Sequence, residues 1–294
     1  ENFSPITMWE DYGITSYIRG SAQQLIWQSY YLLEETLEYE KPEVVVFNVL
    51  SMKYDTPQKE AYNRMTLDGM KWSKSKVDDI RASMMEDEEF ADYVFPILRY
   101  HSRWQELTSD DFKYLFTRRP VSQSGYYMRI DVKPAQTFPK PKKLANYEFG
   151  ENSWKYLEKM RKLCEEKGIQ LILVKAPSLY PAWYDEWEDQ IEEYAKTYEL
   201  PYYNFLDLTD EVGIDFTKDT YDGGLHLNLS GAEKMGAYFG KILREEFQVP
   251  DRRNDEKIAS VWAEKCAAYY DMEKRQQEEL DTYGYLKMFN SDKE

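Results

Sequence analysis

A short glycine-rich stretch carries the residues best suited to chemistry in this 294-residue chain. Its sequence is Asp222-Gly223-Gly224-Leu225-His226-Leu227-Asn228, and His226 is one of only two histidines. An imidazole titrates near neutral pH, and a neighbouring carboxylate can fix its tautomer, so Asp222 and His226 together could serve as a general base. The alternative is a structural histidine that holds a loop through hydrogen bonds. The elements around the stretch bear on this choice.

A second cluster of functional side chains comprises His101, Arg103 and Trp104. A guanidinium group binds carboxylates, and an aromatic ring offers a flat face on which a sugar can stack. The cluster is therefore a predicted substrate-binding site. The alternative is a helix end with a capping arginine and a packed tryptophan.

Composition excludes several classes of partner. Asp and Glu total 54 against 38 for Lys and Arg, which gives a formal charge of −16. Nucleic acids and anionic lipids need a positive field, so neither is expected as the main partner. The 26 tyrosines and 8 tryptophans offer flat faces on which sugar rings can stack, and the alternative, expected for most of them, is that they are ordinary core and surface residues. Cys164 and Cys266 lack metal-ligand spacing and are expected to be free thiols, and no glycine-rich phosphate loop follows a strand, so neither metal nor cofactor is predicted.

The hydrophobic pattern alternates between strands and helices. Strands are predicted over 14–18, 43–50, 169–174 and 202–207, and helices over 21–41, 152–167, 182–198 and 231–246. This order favours a parallel, doubly wound α/β sheet, in which ligands bind outside the carboxyl ends of the strands. Gly20, Asn48, residues 175–177 and the loop of His226 should then lie along one edge.

The whole chain, 1–294, is interpreted as a single α/β domain with two additions. Residues 51–150 form a large helical and loop insertion after a central strand, expected to build a cap or substrate wall. Residues 250–294 form a helical tail. No apolar run reaches membrane-spanning length. Because the chain begins at Glu1 without a methionine, a natural N-terminal segment is expected to have been removed.

The strand and helix order, with the Asp222 to Asn228 loop and the glycine-led helix after it, resembles the SGNH (GDSL-like) hydrolase superfamily. The closest resemblance is to its cell-envelope branch, which includes proteins related to D-alanine transfer and alginate O-acetylation. The similarity covers approximately residues 10–50 and 150–245. It implies a three-layer, flavodoxin-like fold and a serine esterase or O-acyltransferase acting on cell-envelope or extracellular carbohydrate. It also implies an extracellular or cell-envelope location, with membrane attachment only through an anchor upstream of this chain.

The resemblance assigns roles to individual residues. His226 would be the general base and Asp222 its orienting carboxylate, with Asp219 as a second candidate because the family position is occupied here by Gly223. The backbone N–H of Gly20 and the side chain of Asn48 would contribute to the oxyanion hole. An ordinary turn glycine and a polar strand end are the respective alternatives.

The family's nucleophile block, Gly-Asp-Ser or Gly-Ser-Ser after the first strand, is absent from the sequence. The nucleophilic serine is therefore expected upstream of Glu1, since Ser4 lacks a glycine-rich elbow. A different class of function also accommodates this absence: a non-catalytic glycan-binding or envelope-assembly protein that retains the fold. The sequence does not specify an oligomeric state.

Overall fold

A three-stranded parallel sheet lies at the centre of the computed structural model, which describes residues 1–95, 123–136 and 140–289. The strands are β1 (Val44–Asn48), β2 (Gln170–Lys175) and β3 (Tyr202–Asn204), in the order β1-β2-β3. Val44 pairs with Gln170, and Leu173 pairs with Tyr202. The predicted α/β class is confirmed, as are the three strands predicted over 43–50, 169–174 and 202–207, each with somewhat different bounds.

Helices surround this sheet. In the part of the chain that the structure describes they are α1 (Pro5–Tyr12), α2 (Ile26–Thr36), α3 (Glu60–Leu67), α4 (Lys74–Ser83), α5 (Phe90–Val94), α6 (Glu151–Lys167), α7 (Asp185–Thr197), α8 (Thr209–Val212), α9 (Leu229–Glu245) and α10 (Glu256–Tyr283). Short 3₁₀ helices cover Val49–Lys53 and Lys287–Phe289. The helices predicted over 152–167, 182–198 and 231–246 are confirmed as α6, α7 and α9. None of these helices is both long and apolar enough to cross a bilayer.

Helices cover both faces of the sheet. The side chains of β2 alternate between the two faces, so each face contributes to its own hydrophobic core. Leu171 and Leu173 join a core shared with α2, α4, α6 and α7. Ile172 and Val174 join a second core, which is shared with α1 and α9. The result is three layers, with the sheet in the middle.

The strand predicted over residues 14–18 is not formed. The backbone N–H of Ile18 donates to the carbonyl of Ser124 rather than to a neighbouring strand. The helix predicted over 21–41 is shorter than expected, since α2 begins at Ile26 and ends at Thr36. Ser21 lies before it, with its hydroxyl 2.6 Å from that of Thr66. A short β-branched run becomes a strand only where a partner strand is available, and none lies beside it within the described residues.

Strand β1 is only partly buried. A near-continuous apolar run such as residues 43–50 is typical of a strand buried on both faces, yet Val46 is 39% exposed. Among the described residues β1 pairs only with β2. Its other edge is therefore open in the part of the chain that the structure describes.

The insertion and the tail both pack on the main body. Residues 51–95 contribute Met52, Leu67 and Ile80 to the core that contains α2. The tail is helical as predicted, and Trp262 of α10 stacks on Trp9 of α1 with ring centroids 5.1 Å apart. Both cysteines are free, as predicted.

Candidate functional site

Two consecutive glycines shape the loop that holds His226. Gly223 and Gly224 have φ angles of +87° and +106°, a region of backbone conformation that favours glycine. The resulting turn brings the Asp222 carboxylate to the imidazole, with 2.6 Å between Asp222 Oδ2 and His226 Nδ1. Asp222 Oδ1 accepts hydrogen bonds from the backbone N–H groups of Leu225 and His226. The additional glycine thus accommodates a spacing of four residues between carboxylate and histidine.

The electrostatics of this pair favour a charged carboxylate. Burial opposes ionisation of Asp222, but the hydrogen bonds from the His226 side chain and from the backbone outweigh burial, so the pKa of Asp222 lies below its usual value. A carboxylate at Nδ1 requires the proton on Nδ1, which leaves the lone pair of Nε2 free.

The Nε2 atom is positioned to accept a proton from another molecule or residue. The His226 side chain is 37% exposed. Among the described residues, no hydrogen bond to Nε2 is formed, whereas Nδ1 is bound to Asp222. The arrangement has the geometry of an oriented general base.

The side chain of Thr220 stabilises the His226 loop from the protein interior. It is fully buried, its Oγ1 accepts a hydrogen bond from the backbone N–H of Gly224 at 2.8 Å, and it donates to the carbonyl of His226 at 2.8 Å. It also forms an isolated antiparallel bridge with Leu227. Sequence analysis did not identify Thr220, because nothing in its local pattern distinguishes this threonine from others.

The Tyr221 ring and its charged neighbours lie beside the imidazole of His226. The Tyr221 ring stacks on the His226 ring, with centroids 5.7 Å apart and planes inclined by 9°. The Tyr221 hydroxyl donates to Glu1 Oε2 at 2.6 Å, and Arg129 lies 4.5 Å from the Tyr221 ring centroid. Arg129 is held in turn by Asp131. Arg129, from the described part of the insertion, therefore borders the site, and the role of residues 51–150 as a cap or substrate wall stays a prediction.

The loop that follows β2 contacts the His226 loop directly. The backbone N–H of Leu179 donates to the carbonyl of Gly224 at 2.7 Å, and the Tyr180 hydroxyl donates to the carbonyl of Asp222 at 2.8 Å. The His226 loop thus lies beyond the carboxyl end of β2, at the edge where the parallel sheet was predicted to place it.

Asn48 reaches the same edge. It ends β1, and its Oδ1 lies 3.5 Å from the backbone nitrogen of Ala176 and accepts from Leu50, where it caps the 3₁₀ helix. Its predicted role as an oxyanion donor stays a prediction, and its observed hydrogen bonds are those of a polar strand end.

Gly20 is not brought to this edge by any hydrogen bond of the described residues. Its neighbour Arg19 forms an ion pair with Glu35 of α2, and Ser21 contacts Thr66 of α3. The strand predicted before Gly20 is absent from the described structure. The oxyanion role of Gly20 stays a prediction.

Asp219 and Ser4 have structural partners instead of His226. Asp219 accepts hydrogen bonds from Lys234 at 2.6 Å and Ser230 at 2.8 Å, so Asp222 is the one of the two candidates that lies at the imidazole. Glu1 Oε2 also lies 3.4 Å from His226 Nδ1. Ser4 is fully buried at the N-cap of α1 and lies 3.1 Å from the Tyr269 hydroxyl. The predicted substrate-binding residues His101, Arg103 and Trp104 lie outside the described residues.

No metal centre is formed by the described residues, where no group of three or more His, Cys, Asp or Glu side chains is placed to hold an ion. The candidate site is the Asp222–His226 pair on an α/β fold.

The sequence model of an uncharacterised protein family matches residues 101–248, about half of the chain, and the chain belongs to that family. No curated protein and no solved structure matches the chain.

Proposed function

We propose that the protein is an SGNH-type serine esterase or O-acyltransferase that acts on cell-envelope or extracellular carbohydrate. The observation that carries this proposal is the 2.6 Å contact between Asp222 Oδ2 and His226 Nδ1, which leaves Nε2 open at the carboxyl edge of a parallel sheet. The resemblance of the Asp222 to Asn228 loop to the SGNH superfamily supports the same function. The proposal includes a flavodoxin-like, doubly wound sheet and an extracellular or cell-envelope location.

In the proposed reaction His226 moves one proton at each step. Nε2 takes the proton of a serine hydroxyl as the serine oxygen attacks the ester carbonyl, and the Asp222 carboxylate stabilises the imidazolium that forms. The imidazolium then gives its proton to the departing alcohol, which leaves an acyl-serine. Water or a sugar hydroxyl, deprotonated by Nε2, releases the acyl group by the reverse sequence. Asn48 is the candidate side-chain donor to the oxyanion.

The proposal requires a nucleophilic serine, and the described residues do not place one at His226. None of the described serines donates a hydrogen bond to His226. The Ser4 side chain caps the N-terminus of α1. The outer edge of β1 is unpaired in the described part of the chain, and Val46 there is 39% exposed. An additional parallel strand beside β1 would end at the same edge as Asn48 and could deliver a serine to that edge.

A fluorophosphonate probe tests the proposal without knowledge of the substrate, because it reacts with serines activated by a neighbouring base. In the natural full-length protein, peptide mass spectrometry should find one labelled serine. His226→Ala should slow its labelling about a thousandfold or more, since the base is lost. Lys274→Ala, on the exposed side of α10, should leave the rate unchanged. The hydrolase proposal is abandoned if no serine is labelled in the wild-type protein.

A groove on another surface favours a second candidate, a glycan-binding protein. The groove has a volume of about 310 Å³, and three of its lining residues are aromatic: Trp154, Tyr194 and Tyr198. The rings of Trp154 and Tyr194 lie 5.3 Å apart, and those of Tyr194 and Tyr198 lie 4.7 Å apart. Aromatic faces with nearby polar groups, here Glu148 and Glu193, are typical of sugar-binding surfaces.

Binding to this groove is testable with chito-oligosaccharides as the probe. Titration should change the intrinsic tryptophan fluorescence, and Trp154→Ala should weaken the affinity about tenfold, because one stacking platform is removed. Tyr198→Ala, at a more exposed ring, should weaken it with less effect on stability. Trp72→Ala serves as the control, since Trp72 is exposed but does not line the groove. Equal affinities in all variants would count against the groove as a sugar site.

A further inference from the structure

Lys175 is a buried cation that the proposed reaction does not use. It is the last residue of β2 and is fully buried. Its ammonium donates to the carbonyl of Ala176 at 2.6 Å and to Ser178 Oγ at 3.0 Å, and the Ser178 carbonyl lies 3.4 Å away. A buried ammonium needs such partners, and here all of them belong to the loop directly after the strand. Lys175 therefore ties this loop to the sheet.

The same loop supports the catalytic candidates. Leu179 donates from its backbone to Gly224, and Tyr180 donates from its hydroxyl to Asp222. The packing is also close: a methyl group added at Gly224 would lie 2.7 Å from Leu179 Cδ1. A displacement of residues 176–180 would thus reach both the turn glycine and the orienting carboxylate.

We propose that Lys175 is a positioning residue for His226. Its ammonium fixes the loop of residues 176–180, and that loop holds the His226 loop so that the Asp222 carboxylate stays at Nδ1. The link is a property of the fold, and only its catalytic consequence rests on the proposed function.

The charges that face Lys175 determine how the link responds to pH. Burial lowers the pKa of Lys175, Glu188 of α7 and Asp207 after β3 oppose this, and Lys53 from the 3₁₀ helix after β1 adds to the lowering. The resulting pKa is about 8. Above that pH the neutral amine has fewer and weaker N–H donors for the loop carbonyls and for Ser178. The Asp222–His226 hydrogen bond should therefore loosen at mildly alkaline pH. Burial also lowers the pKa of Lys53 to about 8, so Lys53 needs its own variant.

The far-downfield NMR signal of the His226 Nδ1 proton reports the hydrogen bond to Asp222 directly, and the chain has only one other histidine. In Lys175→Met, exchange of this proton with water should accelerate about tenfold or more, the factor that corresponds to losing a hydrogen bond to a charged group. Because exchange of an imidazole N–H is itself base-catalysed, the pH response of the wild type is read from the chemical shift of this proton, which should move upfield as pH rises through about 8. Lys53→Met should shift that transition to higher pH without removing it, because a like charge is lost.

Two further variants make the test decisive. Lys265→Met removes another partly buried lysine, which donates to Ser124 away from the His226 loop, and should change nothing at His226. Ser178→Ala removes only one of the acceptors of the Lys175 ammonium and should accelerate exchange of the His226 Nδ1 proton to a smaller extent. If Lys175→Met does not fold, Ser178→Ala and the wild-type pH series test the positioning role in its place.

The positioning role is overturned if folded Lys175→Met exchanges like the wild type, or if the wild-type signal is insensitive to pH while circular dichroism shows the fold intact. Absence of fluorophosphonate labelling with the NMR coupling present would reject the hydrolase proposal alone. Labelling without the coupling would reject only the positioning role.

Discussion

Asp222→Asn should leave His226 in place but reverse its tautomer. The Asn oxygen can still accept the backbone N–H groups of Leu225 and His226, which now bind Asp222 Oδ1. The amide nitrogen would then donate to Nδ1, so that the ring proton moves to Nε2 and the base is lost. In the comparable Ser-His-Asp constellation such a change lowers the rate by about four orders of magnitude, and we expect a loss of that order here.

Two measurements check this result. The ¹⁵N chemical shifts of the imidazole should show Nδ1 protonated in the wild type and Nε2 protonated in the variant. The rate of fluorophosphonate labelling in the natural full-length protein should fall accordingly. Asp215→Asn is the matched control, because Asp215 is an exposed aspartate near the site whose side chain binds Thr217. Unchanged shifts and an unchanged rate in Asp222→Asn would remove Asp222 from the mechanism.

Local sequence was sufficient to predict the elements whose stability depends on their own pattern. Residues 169–174 are apolar except for Gln170 and follow a glycine, and nearly all of them lie in the central strand β2, between two partners. That glycine, Gly168, directly follows the helix predicted over 152–167 and ends α6 with a φ angle of +67°. The Asp222 to Asn228 stretch was found for the same reason, since its glycines and its histidine are adjacent in sequence.

Elements that depend on distant partners were predicted less well. Residues 14–18 have a strand-like composition, but no neighbouring strand lies beside them in the described structure, and they remain irregular. Val46 belongs to an apolar run typical of a buried strand, but it is partly exposed because β1 has only one described neighbour. Local propensity cannot supply the hydrogen-bond partner that a strand requires.

The residues that position the Asp222–His226 pair could not be predicted from the sequence. Thr220, Arg129 and Lys175 act through contacts with residues whose position only the fold determines. Tyr221 lies five residues from His226 but was not singled out, because its stacking depends on the turn made by Gly223 and Gly224. Residue type and spacing thus pointed to Asp222 and His226, while the orientation of this pair depends on side chains from several separate segments.

Asp79 is expected to make the stability of the protein strongly dependent on pH. It is fully buried on α4, and its Oδ1 accepts a hydrogen bond from Ser83 Oγ at 2.9 Å, whose hydroxyl in turn accepts from Trp27 Nε1. Its Oδ2 is buried without a hydrogen-bond partner in the described structure. Burial raises the pKa of Asp79 to about 7, and the hydrogen bond from Ser83 offsets this only in part.

The direction of the effect follows from proton binding. The unfolded chain has a carboxyl pKa of 3.8, so between that pH and about 7 the folded protein binds more protons at Asp79 than the unfolded chain does. The free energy of unfolding is therefore highest below pH 3.8 as far as this group is concerned, and it falls as pH rises through about 7. The total loss is about 4 kcal/mol, at 1.36 kcal/mol per pH unit.

Asp79→Asn should remove this dependence and stabilise the protein at neutral and alkaline pH. The Asn oxygen keeps the hydrogen bond from Ser83 but carries no charge, so the variant should exceed the wild type by up to about 4 kcal/mol at pH 8 and by only about a third of that at pH 5. Urea unfolding at both pH values measures this difference. Asp78→Asn, at a partly exposed position that pairs with Lys74, should shift stability by less than about 1 kcal/mol. A constant difference between wild type and Asp79→Asn at the two pH values would mean that Asp79 titrates in the folded protein as it does in the unfolded chain.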